Sequence, residues 1–164
     1  MEYSDPLLSL AELAIALAGF SSLFSVLDRS LDPDSSDRAR TDLQVMLEIG
    51  LRNATFAGIP IPLLAAGIAG PGLWRTLSAL YLAAMLGHIQ YQRSRGLRGV
   101  MSEPSELRPV LVAVTIASAV ISVLNVFGAA GAHAFALYLA SLILGLVFAG
   151  LLFVAVARRM TWKD

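Results

Sequence analysis

Few residues in the apolar stretches of this chain carry a charge or an amide, and those few are the ones that could do chemistry. Thr41, Gln44, Glu48, Arg52 and Thr55 recur at three- and four-residue spacing. On a helix that spacing puts all five on one face. Leu43, Met46, Leu47, Gly50, Leu51 and Ala54 fill the other side. Glu48 stands one turn before Arg52, the favourable order for an in-helix ion pair. A functional reading makes Gln44, Glu48, Arg52 and Thr55 the lining of a vestibule. The plainer reading is an intrahelical pair with Arg52 reaching to a polar surface along its apolar stem.

Glu12 is the one charge inside the apolar run from Pro6 to Leu27. It suits a proton or cation site facing a helix-bundle interior, or a carboxyl bonded to a neighbour. Ionisable groups within such runs are functional-site hypotheses by default. Asn125 is the one amide deep in the last two apolar segments, and helix-to-helix hydrogen bonding is its expected role. His88 and His133 fall at opposite ends of their segments, so no metal site uses both, and each reads as an interfacial side chain. Asn53-Ala54-Thr55 matches a glycosylation acceptor but lies in apolar sequence, which discounts it. Ser21, Ser22 and Ser25 can bond back to their own helix carbonyls.

No Ser-His-acid set, acid pair, phosphate loop or metal-ligand spacing is present, so no enzyme, cofactor or metal is expected. With no cysteine, disulfides, thiolate metal sites and a cysteine nucleophile are excluded. Net charge is zero, which gives no field for nucleic acid.

The elements that hold these residues must be membrane helices. The chain is 57% hydrophobic and 15% charged, against about 25% charged in soluble domains. The predicted fold is an all-α integral membrane protein, a single polytopic domain over residues 1–164 with five transmembrane helices. The first span covers about 6–27, with Asp5 and Pro6 suited to its start. The acidic N-terminus lacks the positive region of a signal peptide, so this span is read as retained.

A juxtamembrane helix over 37–50 leads into the second span, 51–70. Pro60 and Pro62 remove backbone donors there, so a kink is expected, with the freed carbonyls of Phe56 and Gly58 repaired by a neighbouring helix. The third span, 73–91, begins near Trp74, expected at an interface. Pro109 to Ala157 is a run of 49 residues without Lys, Arg, Asp or Glu, too long for one crossing. It folds back at Gly128–His133 into spans 109–128 and 134–157, and Ser105 is a candidate cap for the first of these.

Orientation follows from the loop cations. Arg29, Arg38, Arg40, Arg93, Arg95, Arg98, Arg108, Arg158, Arg159 and Lys163 share one side, and Arg75 alone takes the other. The N-terminus is therefore expected outside and the C-terminus in the cytoplasm. Eleven arginines to one lysine, with abundant Ala, Leu and Gly, suggest a bacterial inner membrane.

Two small-residue ladders, Ala14–Ala18–Ser22 and Ser141–Gly145–Ala149, allow close helix approach. They favour a structural or accessory protein that assembles with itself or with a larger membrane complex, its partners being the lipid bilayer and other helices. The alternative is a subunit of an oligomeric channel or transporter, with a polar path lined by Glu12, Glu48 and Arg52.

Overall fold

The computed structural model describes residues 3–31, 37–94, 107–129 and 131–161. The expected cap Ser105, the cations Arg95, Arg98 and Lys163, and Trp162 lie outside them. Within the described residues the fold is helical without strands: α1 (Ser4–Leu31), α2 (Asp37–Gly58), α3 (Pro60–Ala65), α4 (Pro71–Ser94), α5 (Arg108–Val126) and α6 (Ala134–Thr161). A single 3-10 turn, Gly131–His133, joins the last two.

Three helical stretches are long and apolar enough to cross a membrane: Ser4–Phe24, Arg108–Val126 and Gly131–Ala157. The helices α2 and α4 fall outside that group because of their composition. The first carries Asp37, Arg38, Arg40, Asp42, Glu48 and Arg52, and the second carries Arg75, His88, Gln90, Gln92 and Arg93.

α1 and α2 form an antiparallel hairpin, and both lean on α6, which also packs against α4 and α5. The hairpin is tight because Gly50 faces Ala14 and Ala18. A side-chain carbon at position 50 would stand 3.0 Å from the Ala14 carbonyl and 3.0 Å from the Ala18 methyl. α4 packs on α5 and α6 and meets α2 chiefly through long side chains, leaving a cleft between them.

The two prolines end α2 less sharply than a loop would. Ile59 keeps helical dihedrals and its N–H bonds to Thr55. Pro60 lacks the N–H that would reach Phe56, and the freed Phe56 carbonyl accepts the hydroxyl of Tyr138 from α6. The repair of the Phe56 carbonyl by a neighbouring helix is the one the sequence implies. The helix stops sooner than expected, however, at Ala65 and not near Gly70. Ile68 N–H bonds back to Leu63, with Gly67 at φ +79, a left-handed termination that glycine adopts freely. The end of α5 repeats the device, with Ala129 N–H on Leu124 and Gly128 at φ +76.

Apolar side chains gather in two clusters. One holds Leu7, Leu10, Ala57, Trp74, Leu77, Tyr138 and Leu142; the other holds Leu43, Met46, Ile49, Leu111, Leu152 and Val156. Trp74, expected at interface level, takes a packing role as well. It is buried in the first cluster, against the rings of Tyr3, Phe135 and Tyr138. The outer surface is apolar too: Leu13, Ile15, Phe20, Leu51, Leu80, Leu86, Ile116, Val120 and Ile143 are exposed. Water-soluble folds hide such residues and show polar ones. Here Ser21, Asn53, Ser78, Ser118, Ser122, Asn125 and Ser141 are the buried ones.

Candidate functional site

The interior polar groups form a file between the helices. It starts in the α2–α4 cleft. Gln44 Nε2 donates to Glu48 Oε1 at 2.9 Å, and His88 Nδ1 lies 3.2 Å from Glu48 Oε2. The other ring nitrogen, His88 Nε2, lies 2.7 Å from Gln92 Nε2. The partners assign the tautomer: Nδ1–H donates to the carboxylate and Nε2 accepts from the amide. A second proton on His88 would turn Nε2 into a donor and oblige Gln92 to present its oxygen.

One turn further along α2, the Arg52 guanidinium sits 5.4 Å from the centre of the Tyr81 ring, a cation–π arrangement. Its Nε is buried without a hydrogen-bond partner. The expected Glu48–Arg52 ion pair is not formed: Glu48 accepts a hydrogen bond from the neutral His88 ring, and Arg52 turns to the aromatic face. The reason is that α4 offers both groups partners that cross the cleft.

Tyr81 Oη donates to Asn53 Oδ1 at 3.0 Å, beside the Ser141 carbonyl, which accepts from Ser118 Oγ at 3.2 Å. Ser122 Oγ donates to Ser141 Oγ at 3.1 Å, and Ser141 Oγ donates to its own helix at Leu137. Gly145 makes room for this junction. A side-chain carbon there would lie 2.5 Å from Tyr81 Oη and 2.7 Å from Asn53 Nδ2. A separate polar group lies one turn further along α5, where Asn125 Nδ2 donates to Ser78 Oγ at 2.7 Å and to the Ala134 carbonyl at 2.9 Å. This is the interhelical bonding expected of that amide. Asn53 Nδ2 and Asn125 Oδ1 are both buried with no partner. At the far end Arg75 lies against Gly128, the glycine that ends α5.

The sequence-derived candidates are therefore divided. Gln44, Glu48 and Arg52 meet in the cleft. Asn125 stands at the other end of the file. Thr55 is exposed and bonds to its own helix at Leu51. Glu12 is exposed on the outer face of α1, remote from the rest. Tyr81, Ser78, Ser118 and Ser122 are site residues that the sequence reading passed over, and His88 and Asn53, there an interfacial side chain and a discounted glycosylation acceptor, join them. A signal for them existed: Arg75, Ser78, Tyr81, His88 and Gln92 share one face of α4 by three- and four-residue spacing, and Ser118, Ser122 and Asn125 share one face of α5.

The small-residue ladders are used inside the chain except at Ser22, which is exposed. Ala14 and Ala18 pack on Gly50, and Ser141, Gly145 and Ala149 are buried against the bundle. The fold and site define a class, an all-helical protein with buried polar groups set within an apolar core, an apolar exterior and, among the described residues, three stretches of membrane-crossing length. No family model, curated protein or solved structure matches the chain.

Proposed function

We propose that this chain is a five-span protein of a bacterial inner membrane, N-terminus outside and C-terminus cytoplasmic, that acts as a channel- or transporter-type subunit handling protons. α2 and α4 complete the five crossings. They turn Leu51, Ile59, Leu80 and Leu86 outward and keep their polar groups in the cleft and the interior. The observation that carries the functional reading is the file from Gln92–His88–Glu48 to Asn125–Ser78. Its members are the Glu48 carboxylate, which accepts, and an imidazole, hydroxyls and amides, which both donate and accept. Within each hydrogen-bonded group the separations near 3 Å leave no room for a hydrated metal ion, whereas a proton can pass along such groups where buried waters join them. Asn53 and Asn125 each keep an unpaired polar atom facing the interior, the kind of group that buried waters satisfy. The pair Glu48–His88 takes up the proton, and the fixed charge of Arg52 raises the barrier beyond it.

The test is proton flux into liposomes that carry the purified chain and an internal pH-sensitive dye. The expected result is flux above protein-free vesicles, reduced on the order of a hundredfold in H88L, as for loss of a proton-transfer group, and raised in R52Q. Flux equal to protein-free vesicles overturns the reading. Reporter fusions after residues 35, 100 and 164 should all report cytoplasm, and an external report from any one contradicts the topology.

A second reading is a structural or accessory protein that assembles with itself or a larger complex. The ladders no longer support it, since they are spent within the chain. The exposed Glu12 does, because an acid on a membrane-facing surface needs a partner.

A further inference from the structure

The chain carries both halves of an ion pair at one depth, on faces that cannot meet. The level is set by the α1–α2 hairpin, in which Gly50 packs between Ala14 and Ala18. Because the two helices run antiparallel, Arg52 lies level with about residue 14. Glu12 is two residues further, about 3 Å along the axis. The directions are opposed. Glu12 is two residues from Ala14 and Arg52 two residues from Gly50, so each points about 160° away from the shared interface. Glu12 faces out from α1 and is exposed. Arg52 faces the α2–α4 cleft, half-buried, over Tyr81, with Nε unpartnered.

The surface around Glu12 is shaped for a close neighbour. Ser9, Ala16 and Gly19 are exposed in line with it on α1, and nothing lies within 4 Å of a side-chain carbon built at Gly19. Exposed Leu8, Leu13, Ile15, Phe20 and Leu23 flank that line. An acid in such surroundings is costly unless it meets a cation at its own depth.

We infer that a second copy of this chain supplies that cation. The outer face of α1 in one copy docks on the α2–α4 cleft of the next, and Glu12 pairs with Arg52 there. This goes beyond the proton-handling reading and shares with it insertion in the membrane and the side chain of Arg52; cross-linking of A16C/L51C, which leaves Arg52 in place, tests the contact independently of proton flux. The contact joins two different faces, so repetition of it builds oligomers larger than a dimer, a ring where the rotation closes.

The native chain has no cysteine, which makes site-directed cross-linking clean. Ala16 and Leu51 are both exposed and lie at the same level. The double variant A16C/L51C, oxidised in lipid vesicles, is expected to give a ladder of dimers and higher species. A16C alone and L51C alone should give monomers. Oligomer mass in mild detergent should fall to that of a monomer in E12R and in R52E, each checked for helicity. Mixing these two variants should restore assembly, because position 12 of each then opposes the charge at position 52 of the other. Cross-linking of A16C alone shows α1 against α1 and overturns the inference. So does a monomeric A16C/L51C chain, or folded E12R and R52E that stay monomeric when mixed. If the charge variants do not fold, the cross-linking pattern, which keeps both native charges, decides.

Discussion

Replacing Gly145 by alanine tests whether the polar junction in the middle of the bundle is rigid. The added methyl would lie 2.5 Å from Tyr81 Oη, 2.7 Å from Asn53 Nδ2 and 2.8 Å from Asn53 Oδ1. All three distances are below van der Waals contact. The neighbours are side-chain ends, which could swing aside if they had space. They have none: Tyr81 is 1% exposed and Asn53 0%. Accommodating the methyl therefore separates Tyr81 from Asn53. Overpacking a filled interior costs about 1–3 kcal/mol. Stranding a buried hydrogen-bonding group costs about 1–3 kcal/mol more. Alanine returns about 0.8–1 kcal/mol in helix propensity. The expected net loss is about 3 kcal/mol. Gly150, on the same helix with nothing within 4 Å of a side-chain carbon, is the control. Gly150→Ala should be neutral or stabilising by up to about 1 kcal/mol. The assay is reversible unfolding in mixed micelles with increasing SDS, followed by far-ultraviolet circular dichroism. If Gly145→Ala matches the parent or Gly150→Ala, the junction yields freely and the packing argument fails.

Two further expectations concern the backbone. Tyr138→Phe removes the hydroxyl that caps the Phe56 carbonyl freed by Pro60, and should cost about 1–2 kcal/mol in the same assay. In a Pro60→Ala background the restored N–H can cap that carbonyl, so the same change should cost under about 0.5 kcal/mol; equal costs in both backgrounds refute the repair. Gly128→Ala imposes a left-handed φ of +76 and puts a carbon 2.7 Å from the Arg75 guanidinium, whereas Gly131→Ala meets φ +51 alone, with open space. Thermal unfolding should therefore show the first to be the more destabilising, by about 1–3 kcal/mol.

The helices were legible because apolar runs of membrane-crossing length have few other uses, and because Gly70-Pro71-Gly72 and Gly128–His133 punctuate them. The role of Asn125 was legible for a similar reason: an amide in apolar surroundings has few options. What the sequence could not show was which neighbour each face would take. The ladder Ala14–Ala18 looked free for a partner molecule, yet its complement, Gly50, was in the next helix. Glu48 and Arg52 looked like a pair because they are a turn apart. His88 and Tyr81, forty and twenty-nine residues downstream, proved the stronger partners once α4 crossed beside α2. Trp74 was read from its position near a segment end, but ring stacking with Tyr3 and Phe135 depends on helices α1 and α6, which local patterning does not order. Local spacing decides what a residue can reach on its own helix, and the tertiary arrangement then chooses among rivals.

The broken hydrogen bond at Pro60 also bears on the order of biosynthesis. The Phe56 carbonyl belongs to the second helix to be translated, while the hydroxyl that satisfies it, on Tyr138, belongs to the last. Until the ribosome has released α6, that carbonyl must borrow a substitute from lipid, water or the insertion machinery. The hairpin of α1 and α2 thus carries one backbone acceptor whose partner in the finished fold comes from the last helix.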